Sequence, residues 1–484
     1  MKKLFSYIHG RYIKEQTDNF DIIENPATGE PIAKAYHASE NILNEAIQSA
    51  QAGFLEWQSF SNQKKGKTLF NLSERLMQLN DELALIEVTD TGKPLAEANC
   101  VDIISGADCI KYYSGLTDKI MGLHQAVEDG LYYTKREPLG ICLGIGAWNY
   151  PIQIACWKAA PCLAAGNSMI YKPSPLTPQT SLKLAEIMLE VGIPKGCFNV
   201  VLGDKAVAEY LISHQDIAKV SFTGSVATGK KVMSQAGLSI TPTTMELGGK
   251  SPIIVCQDAD LDIAVAGAIL GNFYTQGEVC SNGTRVFVHQ SVYDKFIEKL
   301  CKSTKNIKIG DPLDLKTQMG ALISKAHLDK VLGYIKIGLD EGAKLCCGGK
   351  QIKPKNALNG YFIEPTIFAD CKDNMRITKE EIFGPVMCVL KFSDIDEVID
   401  RGNSLPFGLA AGIFTKDITN AINITDRLKA GTCWVNTYNI TPSEMPFGGY
   451  KQSGVGRENG IEAINQYTQV KSVYIAKEPL ASPY

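Results

Sequence analysis

Gly140-Ile141-Cys142-Leu143-Gly144-Ile145 is a short apolar run opened by glycine, and from it onward such runs alternate with helical patterns. Ala165-Gly166-Asn167-Ser168-Met169-Ile170-Tyr171 is a second strand candidate, leading into Lys172-Pro173-Ser174-Pro175. A helix is expected from Thr177 to Val191, and a third strand at Phe198-Asn199-Val200-Val201. Lys219-Val220-Ser221-Phe222-Thr223 is the fourth, with a helix from Val226 to Gln235. Strands that alternate with helices argue for a parallel, doubly wound α/β sheet.

Upstream, the first 60 residues read as short strands and turns, with Phe20-Asp21-Ile22-Ile23 before Asn25-Pro26-Ala27-Thr28-Gly29. Helical spacing then puts Ile42, Ala46, Ile47 and Ala50 on one face, and Leu69, Leu72, Leu76 and Leu79 on another. Downstream, Ser251-Pro252-Ile253-Ile254-Val255 begins a second α/β region. It has helices expected at Leu261 to Tyr274 and Val292 to Lys302, and a strand near Val386 to Leu390. Gln469 to Ile475 alternates like a strand but has no obvious partner nearby.

Composition narrows the function classes. The chain has 484 residues, a prior of about three domains. Its 49 Lys+Arg nearly cancel 52 Asp+Glu, so the basic footprint of a nucleic-acid binder is missing. No apolar run of about 20 residues suggests a membrane span, and the N-terminal stretch is too short and mixed for a signal peptide. A cytoplasmic protein is the expectation. Fourteen cysteines and six histidines are scattered, with no C-x-x-C pair and no zinc spacing.

Four places carry candidate chemistry. Gly224-Ser225-Val226-Ala227-Thr228-Gly229 lies between a strand and a helix. It is either a phosphate-binding turn or an ordinary βα turn. Cys280, in Gln276-Gly277-Glu278-Val279-Cys280-Ser281-Asn282-Gly283, is flanked by glycine and small polar residues. Backbone N–H groups there would favour a thiolate, whereas an inert buried cysteine is the plain alternative. Glu246, between apolar residues and the pair Gly248-Gly249, is a confined general base or a capping carboxylate. Asn149, in Trp148-Asn149-Tyr150-Pro151, can donate to an oxyanion. Trp148 and Trp157 are cavity walls or core.

Read together, these segments resemble the aldehyde dehydrogenase superfamily, nearest its betaine-aldehyde group. The resemblance runs over essentially the whole chain. Its other carriers are Lys172-Pro173-Ser174, Phe222-Thr223-Gly224-Ser225, Met245 to Lys250, Glu380-Glu381-Ile382-Phe383-Gly384-Pro385 and Pro446-Phe447-Gly448-Gly449-Tyr450-Lys451.

The resemblance implies a reaction: irreversible NAD(P)-dependent oxidation of betaine aldehyde to glycine betaine, through a thiohemiacetal and a thioester on Cys280. It implies that the Asn149 amide and the Cys280 N–H hold the oxyanion. Glu246 would activate the hydrolytic water, with Lys158 and Glu458 in a charge relay. Gly146, Ala147 and Trp148 would form one cofactor wall. Lys172 and Ser174 would face the adenosine ribose, and Gly224, Ser225 and Gly229 the pyrophosphate. Glu381 would hold the nicotinamide ribose, with Phe383 beside it. Pro175 departs from relatives, which commonly carry a glutamate there that accepts from the ribose 2′-OH and repels a 2′-phosphate. NADP is therefore expected to be used alongside NAD.

By the same resemblance Tyr150, Trp157, Tyr274 and Phe447 line the aldehyde pocket, and Glu444 adds a favourable field. Aromatic faces suit a quaternary ammonium, which cannot donate a hydrogen bond. The same rings would accept a large apolar aldehyde. Asp90 and the Leu176 carbonyl match a monovalent-cation site such as one for potassium, and Asp90 could equally cap a helix. The implied fold has a Rossmann-like coenzyme domain (1–120 and 142–252), an α/β catalytic domain (253–460) and a β oligomerisation arm (121–141 and 461–484). A homodimer or homotetramer follows, the C-terminal strand adding to a neighbouring subunit's sheet. Competing readings are an aminoaldehyde dehydrogenase acting on 4-trimethylaminobutyraldehyde or 4-aminobutyraldehyde, a cysteine amidohydrolase, and a retired homologue kept for structure.

Overall fold

A computed structural model describes residues 1–354, 359–480, 482 and 484. Its central feature is an eight-stranded sheet. Five parallel strands run in the order Thr243–Leu247, Ile217–Gly224, Ile141–Ile145, Ser168–Lys172, Phe198–Val200. The second of the expected strands begins at Ser168 because Gly166, at φ 91, turns the chain, and Asn167 accepts the N–H groups of Leu139 and Gly140 through its Oδ1. All residues of Ile141–Ile145 and Ser168–Lys172 are buried, as befits strands covered on both faces. The helix Glu40–Ser59, capped by Ser39, covers part of the sheet with buried Ile42, Ala46, Ile47 and Ala50.

The strand order reverses direction at Ile141–Ile145. From there the chain winds outward to Ser168–Lys172 and Phe198–Val200, then returns to Ile217–Gly224 on the other side. Ile145 lies in register with Phe222, so the segments after Ile145 and Phe222 leave the sheet side by side. Such a reversal leaves a crevice at the carboxyl ends of the strands, where open α/β sheets bind ligands.

A second sheet has seven strands, six of them parallel. Its order is Lys344–Cys347, Thr366–Ala369, Val386–Phe392, Arg285–His289, Pro252–Val255, Ala410–Phe414, Thr432–Val435. The chain then returns to the first sheet, where Gly454–Val455 pairs antiparallel with Thr243–Leu247. The C-terminal strand Thr468–Ala476 finds its partner within the chain. It pairs antiparallel with Gly130–Pro138, which in turn pairs with His124–Val127. Sequence offered no nearby partner because most of both large sheets lies between the two strands. No described helix is long and apolar enough to cross a membrane.

Candidate active site

The crevice continues into a cavity of about 330 Å³ between the two large sheets. Loops and strand ends from both sheets supply its chemistry. The first is the segment Ala147–Tyr150, held between strand Ile141–Ile145 and helix Pro151–Ala164, whose first turn opens with proline, as helix starts favour. Asn149 lines the cavity and donates from Nδ2 to the backbone oxygen of Glu278 at 2.8 Å. That bond fixes the amide while leaving its second N–H available.

The second loop carries Cys280, between helix Leu261–Phe273 and strand Arg285–His289. The sulfur is partly buried and on the cavity wall. Sequence expected backbone N–H groups to favour the thiolate. The N–H groups of Ser281 and Cys280 do so, but burial and the carboxylates of Glu246 and Glu381 outweigh them, pushing the thiol up to about 12. The loop's N–H groups thus act in the expected direction, while burial and the two carboxylates tip the balance toward the thiol.

Glu246 comes from strand Thr243–Leu247 and Glu458 from the returning segment after Gly454–Val455. Both line the cavity. Neither oxygen of Glu246 has a hydrogen-bond partner among the described residues. Burial first, and then the charge of Glu458, raise its pKa well above the carboxylate range; Lys158 and Arg457 oppose this. Lys158, wholly buried in helix Pro151–Ala164, is ion-paired with Glu458 and donates to Ser221 Oγ at 2.9 Å. Ser221 Oγ in turn donates to Glu458 at 3.3 Å.

Opposite them, Glu381 accepts the Gly249 N–H at 3.1 Å. A Cβ on Gly248 would lie 2.1 Å from the Glu381 carboxylate, so glycine there makes the close approach possible. Phe383, at φ 62, packs edge-on against Trp148 at 5.2 Å. His327 bonds the Phe383 carbonyl from Nε2 at 2.6 Å, and burial lowers its pKa to about 4, so the ring is a neutral donor. His327, Lys330 and Asn439 line the cavity but carried no sequence signal, each lying far in sequence from the residues it joins.

Of the expected pocket rings, Tyr150, Trp157, Tyr274 and Phe447 all line this cavity. Trp157 and Phe447 meet edge-to-face at 5.7 Å. One face of Tyr150 already carries the Lys93 ammonium, 3.8 Å from the ring centre. Glu444 is exposed and not part of the cavity wall.

The expected cofactor residues divide. Ala147, Trp148, Gly224, Ser225, Glu381 and Phe383 line the cavity; Gly146, Lys172, Ser174, Pro175 and Gly229 do not. The absent side chain of Gly146 makes room for the Tyr171 hydroxyl, 1.9 Å from where a Cβ would sit. That of Gly229 makes room for Leu247, 2.4 Å away, which lets helix Val226–Leu238 pack on its strand. Ser225 caps that helix by accepting the Thr228 N–H at 3.2 Å. Lys172 is buried, its pKa lowered to about 8 by desolvation, and donates to the Pro173 carbonyl at 3.3 Å. Ser174 Oγ accepts the Leu176 N–H.

Asp90 is buried, and its two oxygens accept from the backbone N–H and the side-chain amide of Gln179 at 3.1 and 2.6 Å. Gln179 opens helix Gln179–Glu190, so Asp90 caps a helix from a distance. Leu176 is exposed. Among the described residues no group of three or more His, Cys, Asp or Glu side chains is arranged to hold a metal ion.

A doubly wound sheet, a second α/β layer and a cysteine, glutamate and amide converging at the switch point define the class. Residues 12–473 match the aldehyde dehydrogenase family, and the chain belongs to it. Members are NAD(P)-dependent aldehyde oxidoreductases. Among its relatives is a betaine aldehyde dehydrogenase of Vibrio vulnificus strain YJ016, 52% identical over 99% of both chains. A solved NAD+ complex of an aldehyde dehydrogenase from Bacillus cereus is 39% identical, covering 99% of this chain and 97% of that one, with a TM-score of 0.95. A betaine aldehyde dehydrogenase variant from Staphylococcus aureus, solved with NAD+, is 36% identical over 99% and 98% of the two chains, also with a TM-score of 0.95.

Proposed function

We propose that the chain oxidises betaine aldehyde to glycine betaine with Cys280 as nucleophile. The carrying observation is that Cys280, Asn149 and Glu246, from three separate elements, meet in one cavity with Glu381 on its wall. The glycine-permitted approach of Glu381 to the Gly248-Gly249 backbone fits a polar ribose edge, and the Ser225-capped helix start fits a phosphate. NAD, when bound there, supplies the hydride acceptor and a positively charged ring.

Cys280 adds to the aldehyde carbon as its thiolate, the thiol proton having left to bulk water, and the new C–S bond leaves the carbonyl oxygen as an oxyanion. The free N–H of Asn149 and the Cys280 backbone N–H hold the oxygen of the thiohemiacetal. Removing one such donor typically costs about 10²–10³ in rate. After oxidation to the thioester, ionised Glu246 takes a proton from water, and the acid leaves. Lys158 is ion-paired with Glu458, and its positive charge opposes the rise of the Glu246 pKa.

Trp157, Phe447 and Tyr274 supply ring faces for trimethylammonium, each good contact contributing about 0.5–2 kcal/mol. Tyr150 contributes less than the others because Lys93 already occupies one face. Betaine aldehyde should be preferred over neutral 3,3-dimethylbutanal; equal kcat/KM values would defeat the cage. Without a carboxylate at Pro175, NADP should serve alongside NAD, and discrimination of several orders of magnitude would refute this. Asp90 acts as a helix cap in this reading; potassium there would have to displace Gln179. The free edge of Thr468–Ala476, with Val470, Tyr474 and Ile475 exposed, supports assembly into a homodimer or homotetramer, which light scattering would size. Absorbance at 340 nm with betaine aldehyde and either cofactor tests the central reading, and silence with both would overturn it.

A further inference from the structure

Three successive residues before the Cys280 segment, Thr275 (φ 48), Gln276 (φ 52) and Gly277 (φ 74), occupy the left-handed region. Glycine enters it freely, but a β-branched threonine there is an outlier that persists only where its surroundings over-determine it. At Gly277 no side chain would fit, since a Cβ would meet the Gly384 carbonyl carbon at 2.4 Å.

The main restraint on Thr275 is Glu97, a buried residue ending the short helix Leu95–Glu97, just before a π-helical turn at Ala98–Asp102. Its carboxyl accepts the Thr275 backbone N–H at 3.1 and 3.3 Å and the Thr275 hydroxyl at 3.1 Å. Thr275 Oγ1 also lies 2.8 Å from the Tyr150 hydroxyl. With the threonine proton directed at Glu97, Tyr150 is the donor in that second bond. Tyr150 follows Asn149 directly. One carboxyl thus ties the turn before Cys280 to the segment that carries the amide.

We propose that Glu97 is a positioning residue: by holding Thr275 left-handed and Tyr150 through it, Glu97 sets the spacing between the Cys280 sulfur and the Asn149 amide. The inference rests on the proposed roles of Cys280 and Asn149. Glu97 touches no reacting atom in this scheme. A misplacement of about 1 Å is enough to cost roughly a hundredfold in rate.

The test compares Glu97→Ala, Glu97→Gln, Thr275→Val and Cys280→Ala in the full-length protein. Steady-state kinetics, NAD titration and alkylation of Cys280 by iodoacetamide, followed by peptide mass spectrometry, are the readouts. Glu97→Ala should lower kcat about a hundredfold while NAD affinity stays within about twofold, and alkylation of Cys280 should speed up as the sulfur becomes wetter. Glu97→Gln, which keeps an acceptor for the Thr275 N–H, should recover about tenfold over the alanine variant. Thr275→Val keeps the shape and loses the hydroxyl, so it should lower kcat about tenfold even where Glu97→Ala does not fold. Unchanged kcat in folded Glu97→Ala or in Thr275→Val would overturn the proposal, as would kcat and NAD affinity falling in parallel. Activity surviving in Cys280→Ala would instead refute the nucleophile reading, and the alkylation rates would still report on the loop.

Discussion

Replacing Gly248 with alanine adds one methyl group at the point where backbone meets the Glu381 carboxylate. The new carbon would stand 2.1 and 2.2 Å from the two carboxylate oxygens and 2.4 Å from their carbon. Carbon and oxygen need more than 3 Å, so the carboxylate must retreat by about 1 Å. It sits at the far end of a flexible side chain, and Gly248 is not in the left-handed region, so the fold can absorb the change. What is lost is the Glu381 bond to the Gly249 N–H at 3.1 Å and the carboxylate's position on the cavity wall. If Glu381 holds the cofactor ribose, a hydrogen bond from a charged group is forfeited, about 1.5–3 kcal/mol. That corresponds to a roughly tenfold to hundredfold weaker NAD affinity. Titration of NAD against tryptophan fluorescence would measure it, since Trp148 lines the cavity. Alkylation of Cys280 without cofactor should hardly change. In a Glu381→Ala background, the same Gly248→Ala change should have little further effect. Unaltered NAD affinity in the single variant, or an undiminished loss in that background, would refute the argument.

Four other outcomes follow from the charges. Glu246→Gln should leave a burst of reduced cofactor and then stall, because the thioester lacks its base; full steady turnover would exclude Glu246 from hydrolysis. The Glu246 pKa is raised in the folded chain, so the group loses stability as pH climbs above its unfolded value near 4.5. Glu246→Gln should accordingly raise the melting temperature more at pH 8 than at pH 5. Lys158→Met leaves Glu458 and Glu246 buried without their cation, a change of the kind that costs about 3–5 kcal/mol, measurable by urea unfolding, and pairing it with Glu458→Gln should restore part. With the Cys280 thiol pushed up to about 12, its cofactor-free alkylation should rise about tenfold per pH unit between about pH 7 and 9, and a plateau in that range would contradict the placement of Glu246 and Glu381 around it.

Much of this was legible in the chain itself. Apolar runs such as Ile141–Ile145 declare buried parallel strands because both faces are covered, and Ile42, Ala46, Ile47 and Ala50 declare a helix face because burial follows the helical period. Cys280, Glu246 and Asn149 stand beside glycine, proline or tryptophan, and those neighbours betray a special backbone. Less could be read where long-range pairing decides. Lys93 looks like a surface residue until Asp102 is brought to it. His327 joins the cavity through the Phe383 carbonyl and the edge of Trp148. Gly146 and Gly229 read as ligand-facing glycines, but they are small because Tyr171 and Leu247 need the room.

The pairing of Lys158 with Glu458 has a bearing on how the protein comes into being. The lysine is fully buried in an early helix of the first sheet, and its counter-charge arrives 300 residues later with the segment that seals that sheet's edge. Until that segment docks, the ammonium has no carboxylate partner and depends on water. The segment around Glu458 is thus a keystone as well as an edge strand, because without it the Lys158 ammonium would sit in the core with no counter-charge.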